Sequence, residues 1–143
     1  MKITICSSLS FVNKIKEISE KLKNLNHEVL LPRTAELIIK GELTQDQINK
    51  EKGTEAFSHR IIKNDAIKFH CSKIKNSDSI LVLNYDKNNV KNYIGGAVFL
   101  EIGFAHIFDK KIFLLNEIPE INYKDEILAV QPIILNGDLL KIK

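Results

Sequence analysis

One acidic side chain stands out in the otherwise apolar segment 96–108. Apart from Glu101 and His106, every residue of this segment is apolar or Gly, and the segment is predicted to be a helix packed on a sheet. A bare carboxylate in such surroundings is strongly destabilising unless hydrogen-bond donors or a ligand hydroxyl satisfy it. Two interpretations stay open: Glu101 is a catalytic carboxylate, or it lies on a narrow exposed stripe or bonds a neighbouring loop.

Two glycines, Gly95 and Gly96, precede this predicted helix. They let the backbone approach a ligand closely and present free N–H groups to it. The pair forms neither the G-x-G-x-x-G fingerprint of dinucleotide sites nor a P-loop. The sequence therefore gives no support for an NAD or ATP site, and we expect no cofactor.

A second polar group follows the first predicted strand, where "CSSLSF" places Ser7, Ser8 and Ser10 next to the start of a helix. Hydroxyl and N–H groups in this position favour an anion. The alternative is that Ser10 only caps the helix while Ser7 and Ser8 fill a turn.

The elements that position these residues alternate along the chain. Short apolar runs predict five strands, at 2–6, 27–32, 79–84, 111–116 and 132–136. Helical spacing predicts helices at 10–23, 54–76, 96–108 and 123–129, and 33–53 is interpreted as an irregular, partly helical insertion. Strands separated by helices form right-handed crossovers, which predicts an α/β flavodoxin-like three-layer sandwich with a five-stranded parallel sheet of order 2-1-3-4-5.

In such a sheet, ligands bind beyond the carboxyl ends of the strands, beside strand one. This rule selects residues 6–11, 84–96 and 116–120 as the ligand edge. The candidate ligand contacts there are Ser7, Ser8, Ser10, Phe11, Asn84, Asp86, Gly95, Gly96 and Asn116. In the helix predicted over 54–76, His59 and Arg60 are expected nearer to this edge than His70. The alternative is that all three are ordinary polar residues of the surface.

Composition narrows the function classes. A chain of 143 residues with 44% hydrophobic and 27% charged residues predicts one globular domain, 1–143. The net charge of +3 comes almost wholly from scattered lysines, which argues against a nucleic-acid partner. Cys6 and Cys71 suggest neither a disulfide framework nor a metal cluster. Without a signal-like or membrane-spanning apolar run, we expect a cytoplasmic protein with no membrane partner.

The segment around Glu101 resembles the nucleoside 2-deoxyribosyltransferase family, which includes the related deoxynucleoside 5'-monophosphate N-hydrolases. The matching residues are Gly95, Gly96, Phe99, Glu101, Ile102, Gly103, Phe104 and Ala105, followed by "KKIFLLN". The order of elements matches over most of the chain. The resemblance implies that Glu101 attacks the anomeric carbon of a nucleoside or its 5'-monophosphate and forms a glycosyl-enzyme ester. It also implies that the serine-bearing first loop faces the 5' end of the sugar, and that the protein is a homodimer or higher homo-oligomer.

The chain departs from the family at two acids. Family members usually carry an Asp at the end of the third strand, where this chain has Asn84 followed by Tyr85 and Asp86, and another in the loop before the glutamate, where "NNVKNYIGG" has none. We predict that Asn84 contacts the ligand and that Asp86 donates the proton. Alternatives are a catalytically reduced nucleotide sensor on the same fold, or a flavodoxin-like signalling domain, although the acidic phosphoacceptor cluster of the latter is absent.

Overall fold

The computed structural model describes residues 1–56, 58–59 and 65–143, which form a parallel sheet flanked by helices. The strands are β1 (Lys2–Cys6), β2 (Glu28–Leu30), β3 (Ser79–Val82), β4 (Lys111–Leu114) and β5 (Ile133–Ile134). Their order is β2-β1-β3-β4-β5, and every pair is parallel. The predicted flavodoxin-like sheet is confirmed.

The helices are α1 (Val12–Asn24), α2 (Arg33–Ile39), α3 (Gln45–Glu51), α4 (Ala66–Lys75), α5 (Gly96–Ile107) and α6 (Lys124–Ala129). Short 3₁₀ turns lie at Leu9–Phe11 and Leu139–Lys141. The insertion predicted over 33–53 contains α2 and α3, and Thr44 begins α3 with a reciprocal capping box to Gln47. Within the described ranges, none of these helices has the length and apolar character needed to cross a bilayer.

Alternation along the strands sends side chains to two separate cores. Ile3 and Ile5 of β1 pack with α1, α2 and the C-terminal segment on one face. Cys6, the last residue of β1, packs with α4, α5 and α6 on the other face. Successive side chains of a strand point to opposite faces, so Cys6 is directed toward the helix that carries Glu101.

Helix α4 has a different buried face from the one we predicted. The prediction placed Phe57, Ile61, Ile62, Ile67, Phe69 and Ile74 on one apolar stripe. Of these, Phe57, Ile61 and Ile62 lie outside the described residues. Ile67 is 52% exposed and Phe69 38% exposed, whereas Ile74 is buried as predicted.

His70 occupies the buried face of α4 instead, one helical turn before Ile74. Phe69 lies at the surface, with the Arg33 guanidinium 5.1 Å and the Lys73 ammonium 4.8 Å from its ring centre. The prediction for Ile67 and Phe69 was therefore wrong, because the face of α4 that packs against β1 and α5 is set by His70 and Ile74.

Candidate active site

Glu101 lies at the edge of the buried stripe of α5. Val98, Ile102 and Ala105 form that stripe, and the Glu101 side chain beside it is 17% exposed. Gly95 stands before the first turn of the helix, and Gly96 begins it with open space where a Cβ atom would lie. Glu101 itself lies in the second turn of α5, and its carboxyl group projects into a largely desolvated region.

Two side chains from other elements meet this carboxyl group. His70 of α4 places Nε2 3.6 Å from Glu101 Oε1. The Sγ atom of Cys6, at the end of β1, lies 3.6 Å from the same His70 Nε2. Cys6, His70 and Glu101, here called the triad, thus join three elements at the carboxyl end of the sheet.

Burial controls the protonation of the triad. It raises the pKa of Glu101 to about 8, and the Cys6 thiol acts weakly in the opposite direction by hydrogen bonding. Burial, with a smaller effect from the Lys73 ammonium, lowers the pKa of His70 to about 4. Burial, and then the Glu101 charge, raises the pKa of Cys6 well above its usual range. Near pH 7 the triad is therefore mainly a carboxylic acid, a neutral imidazole and a thiol.

One oxygen of the carboxyl group has no partner. Glu101 Oε2 is buried and makes no hydrogen bond with any described residue. A buried polar atom in this state is costly and is uncommon in native structures. The unpaired oxygen is consistent with a site that awaits an electrophile or a cation.

The triad contains two residues that the sequence analysis missed. His70 is the histidine that contacts Glu101, whereas His59 is exposed and pairs with Glu55 at 3.5 Å. The prediction that His59 is a closer candidate for the ligand edge than His70 was therefore wrong. Arg60, the other residue in that prediction, lies outside the described residues. His70 and Ile74 share a helix face through their i, i+4 spacing, but the apolar pattern of the helix as a whole does not single out that face.

The first loop forms a polar edge beside the triad. The Ser7 hydroxyl donates to the carbonyl oxygens of Ser8 at 3.3 Å and Leu83 at 3.5 Å, which ties the loop to the end of β3. Ser8 Oγ accepts from the Ser10 N–H at 3.3 Å, so Ser8 rather than Ser10 caps the turn before α1. Ser10 itself is exposed.

A lysine reaches this loop from the 84–96 segment. Lys87 Nζ donates to Ser8 Oγ at 2.8 Å and lies 5.7 Å from the Tyr93 ring centre. Desolvation, followed by the neighbouring Lys52 ammonium, lowers the pKa of Lys87 to about 8. Among the described residues, no carboxylate forms an ion pair with either lysine. Lys87 thus lies beside the Ser8 hydroxyl, with Lys52 close enough to act on it.

Asn84 and Asn116 lock the ends of β3 and β4 together. Asn84 Nδ2 donates to the carbonyl oxygens of Asn116 at 3.1 Å and Glu117 at 2.9 Å, and its Oδ1 accepts from the Asn116 N–H at 2.9 Å. Asn116 Nδ2 returns a bond to the Asn84 carbonyl oxygen at 3.1 Å. Asn84 is fully buried, so its amide organises this edge of the sheet. Its predicted contact with a ligand stays a prediction.

Asp86 lies in the exposed part of the loop that follows β3. Its Oδ1 accepts from the Asn92 N–H at 2.9 Å, which stabilises the turn leading to Gly95. Phe11 and Tyr85 pack edge to face with ring centres 5.4 Å apart, so the first loop contacts the segment that follows β3. The predicted roles of Asp86 and Phe11 toward a ligand stay predictions.

A cleft of about 340 Å³ lies between this loop and the segment that follows β4. Residues 89–92 and 117–120 line it, and Glu101 does not. The cleft is therefore separate from the triad, although both lie at the ligand edge of the sheet.

Comparison with known proteins identifies structural relatives. No protein family and no curated protein gives a significant match to the sequence. A CMP N-glycosidase from Clostridium botulinum aligns over 95% of this chain and 90% of its own, with 16% identity and a TM-score of 0.51. A 2-deoxyribosyltransferase from Bacillus psychrosaccharolyticus aligns over 80% and 72%, with 21% identity and a TM-score of 0.47. The likeness to the first protein establishes the fold, which agrees with the resemblance inferred from the sequence.

Proposed function

We propose that the protein is an enzyme that cleaves or exchanges the N-glycosidic bond of a nucleoside or nucleoside 5'-monophosphate, with Glu101 as the nucleophile. The observation that carries this proposal is the buried Glu101 carboxyl group, whose Oε2 has no hydrogen-bond partner among the described residues. The family resemblance of residues 95–105 and the fold of the CMP N-glycosidase support the same substrate class.

In the proposed reaction, the ionised Glu101 attacks the anomeric carbon of the sugar. The carbon–nitrogen bond breaks, and its electron pair leaves with the base, which takes up a proton. The transition state is oxocarbenium-like, and the product is a glycosyl ester on Glu101. Water or a second base then attacks the same carbon, loses its proton to the group that protonated the first base, and releases the Glu101 carboxylate, so two inversions give net retention.

Burial has two effects on this nucleophile. Because the pKa of Glu101 is about 8, only a minor fraction is ionised near pH 7 in the free protein. The ionised form is poorly solvated, and replacing its missing solvation by a bond to carbon favours the forward step. His70 Nε2 lies next to Oε1 and Oε2 has no partner among the described residues, so we assign the attack to Oε2.

The departing base needs a proton, and we assign its delivery to Asp86. The exposed position of this side chain requires the 84–96 segment to turn inward when the ligand binds. Asn84 keeps the edge of the sheet in place through its bonds to residues 116 and 117. We assign these two roles to different residues because the chain has no Asp at the end of β3.

We assign the 5' end of the substrate to the first loop, with a phosphate as the preferred group. Lys87 and Lys52 bring two cations together without a carboxylate partner in the described part of the chain, which favours an added anion. Both acceptor positions of Ser8 Oγ are filled by Ser10 N–H and Lys87, which leaves its own O–H free to donate.

The proposed enzyme is a homo-oligomer, as the family resemblance implies. In support, α5 and α6 carry exposed apolar side chains, with Leu100 50%, Ile107 76% and Leu128 48% exposed. Covering these side chains by a second copy would remove them from water. Light scattering of the protein measures its mass directly, and a monomer at all concentrations would contradict this assignment.

A nucleotide sensor without turnover is the second candidate. The observation that favours it is the protonated state of Glu101 near neutral pH, together with the buried amide of Asn84 where the family has an acid. Turnover separates the two candidates. Chromatography should detect free base released from a panel of nucleosides and monophosphates, with and without an acceptor base. Binding of monophosphates without any base release would favour the sensor.

A further inference from the structure

The proposed reaction leaves two buried, potentially metal-ligating side chains unused. Cys6 Sγ, a His70 ring nitrogen and a Glu101 carboxylate oxygen all lie within 4.8 Å of one another. The sequence analysis predicted no metal site, because Cys6 lies in a predicted strand and Cys71 in a predicted helix and the two do not form a ligand cluster in the sequence. The fold creates the cluster by bringing β1, α4 and α5 together.

Two of the three distances within the triad match those of a tetrahedral zinc site, and the third, between Cys6 Sγ and a Glu101 carboxylate oxygen, is at most 4.8 Å. Zinc binds sulfur at about 2.3 Å, imidazole nitrogen at about 2.0–2.1 Å and carboxylate oxygen at about 2.0–2.2 Å. With tetrahedral angles, these bond lengths separate the ligand atoms from one another by roughly 3.3–3.6 Å. The Cys6 Sγ to His70 Nε2 and His70 Nε2 to Glu101 Oε1 distances are both 3.6 Å. A cation can therefore bind all three atoms once the Cys6 Sγ to Glu101 oxygen distance closes to this range.

The kind of donor selects the kind of metal. Thiolate and imidazole favour zinc and its transition-metal neighbours, whereas calcium and magnesium prefer oxygen ligands. Three protein ligands leave one coordination position open. That position lies on the side of Glu101, because the Glu101 side chain is 17% exposed and that of His70 only 6%.

Among the described residues, no lysine or arginine forms an ion pair with the Glu101 carboxyl group. The Lys73 ammonium, which acts electrostatically on His70, is paired with Glu36 at 2.8 Å. Glu101 Oε2 remains buried and without a hydrogen-bond partner in the described part of the chain. A bound divalent cation would balance the negative charge of a Cys6 thiolate and a Glu101 carboxylate.

We propose that Cys6, His70 and Glu101 bind a divalent transition-metal cation of the zinc class, and that the bound cation inhibits the enzyme. The binding half rests only on the triad. The inhibition half also rests on the proposed function, since a Glu101 carboxylate that ligates a metal cannot attack a sugar.

Cobalt(II) titration of the metal-free protein tests the binding half. A tetrahedral site with a thiolate ligand should give intense visible bands and a sulfur-to-cobalt charge-transfer band, and excess Zn²⁺ should displace both. Because the loss of even an outer-shell partner weakens metal binding by about 10–100-fold, C6S, H70Q and E101Q should each weaken Co²⁺ binding at least that much. Circular dichroism of each variant checks that the fold is retained.

Matched controls are available for each ligand type. Cys71 is only partly buried on the same helix as His70, and His106 and Glu20 are exposed, so C71S, H106Q and E20Q should keep the wild-type spectrum. A wild-type spectrum without a charge-transfer band would overturn the site. A band that survives C6S but disappears in C71S would also overturn it.

Base release measured with added Zn²⁺ tests the inhibition half. Wild type and C71S should lose activity as Zn²⁺ binds and regain it with EDTA. If Co²⁺ shows the triad signature but Zn²⁺ leaves base release unchanged, inhibition is excluded and Glu101 is not at the reaction centre. If the triad binds metal but the protein releases no base from any substrate, the proposed function fails while the metal site stands.

Discussion

His70 Nε2 lies 3.6 Å from Glu101 Oε1, across the contact between α4 and α5. Both side chains are largely removed from water, and burial pushes their pKa values in opposite directions, to about 4 for His70 and about 8 for Glu101. Each residue therefore favours its neutral form next to the other. This relationship makes the stability of the fold sensitive to the charge on Glu101.

The free energy of unfolding should show this sensitivity. The folded-state pKa of Glu101 is raised from 4.5 to about 8, so the folded state holds the proton more tightly than the unfolded chain does. The stability from this proton is fully present below about pH 4.5 and is lost as pH rises through about 8. Urea unfolding of metal-free E101Q should therefore show a gain over wild type, on the order of a few kcal/mol, that grows between pH 5 and pH 9. The exposed control E20Q should show no such trend, and a pH-independent effect of E101Q would contradict the raised pKa.

Lys87 should make the protein prefer monophosphates to nucleosides. Hydrogen bonds to charged groups contribute about 1.5–3 kcal/mol, so K87M should weaken monophosphate binding roughly 10–100-fold and leave nucleoside binding nearly unchanged. The exposed Lys91 in the same segment supplies the control K91M. Because Lys87 is cationic below its pKa of about 8, the preference should decline above that pH. Equal wild-type affinities for both ligands, measured by calorimetry, would rule out the phosphate site.

The serines of the first loop should differ in their effects. Ser8 has a free O–H beside Lys87, so S8A should reduce monophosphate affinity about tenfold, the loss of one charge-assisted bond. The Ser7 hydroxyl already donates to the backbone, so S7A should lower stability more than it lowers the preference for phosphate. Binding isotherms and melting temperatures of both variants separate these effects. A larger loss of phosphate preference in S7A than in S8A would refute the assignment.

Asp86 should matter most for bases that leave poorly. If it is the proton donor, D86N should slow cleavage by roughly a hundredfold or more, with the largest effect on the least activated leaving base. The exposed Asp125 provides the control D125N. Initial rates with two bases of different acidity give the comparison. Undiminished cleavage of both bases by D86N would remove Asp86 from the mechanism.

The sequence predicts the sheet and singles out Glu101 as an acid in apolar surroundings, because both signals are local. Each strand is a short apolar run, and Glu101 is an acid in an apolar helix. His70 was missed because the buried face of α4 depends on packing against β1 and α5, which its own apolar pattern does not reveal. The approach of Lys52 to Lys87 is also non-local, since Lys52 follows α3 and is far from Lys87 in sequence.

The rate of base release by E101Q tests the central claim most directly. Wild type, E101Q and the control E20Q should be compared on the best substrate from the nucleoside and monophosphate panel, with metal removed. Loss of a covalent nucleophile should slow release by roughly a thousandfold or more in E101Q, while E20Q retains the wild-type rate. Release by folded E101Q at more than about a tenth of the wild-type rate would show that Glu101 is not the nucleophile.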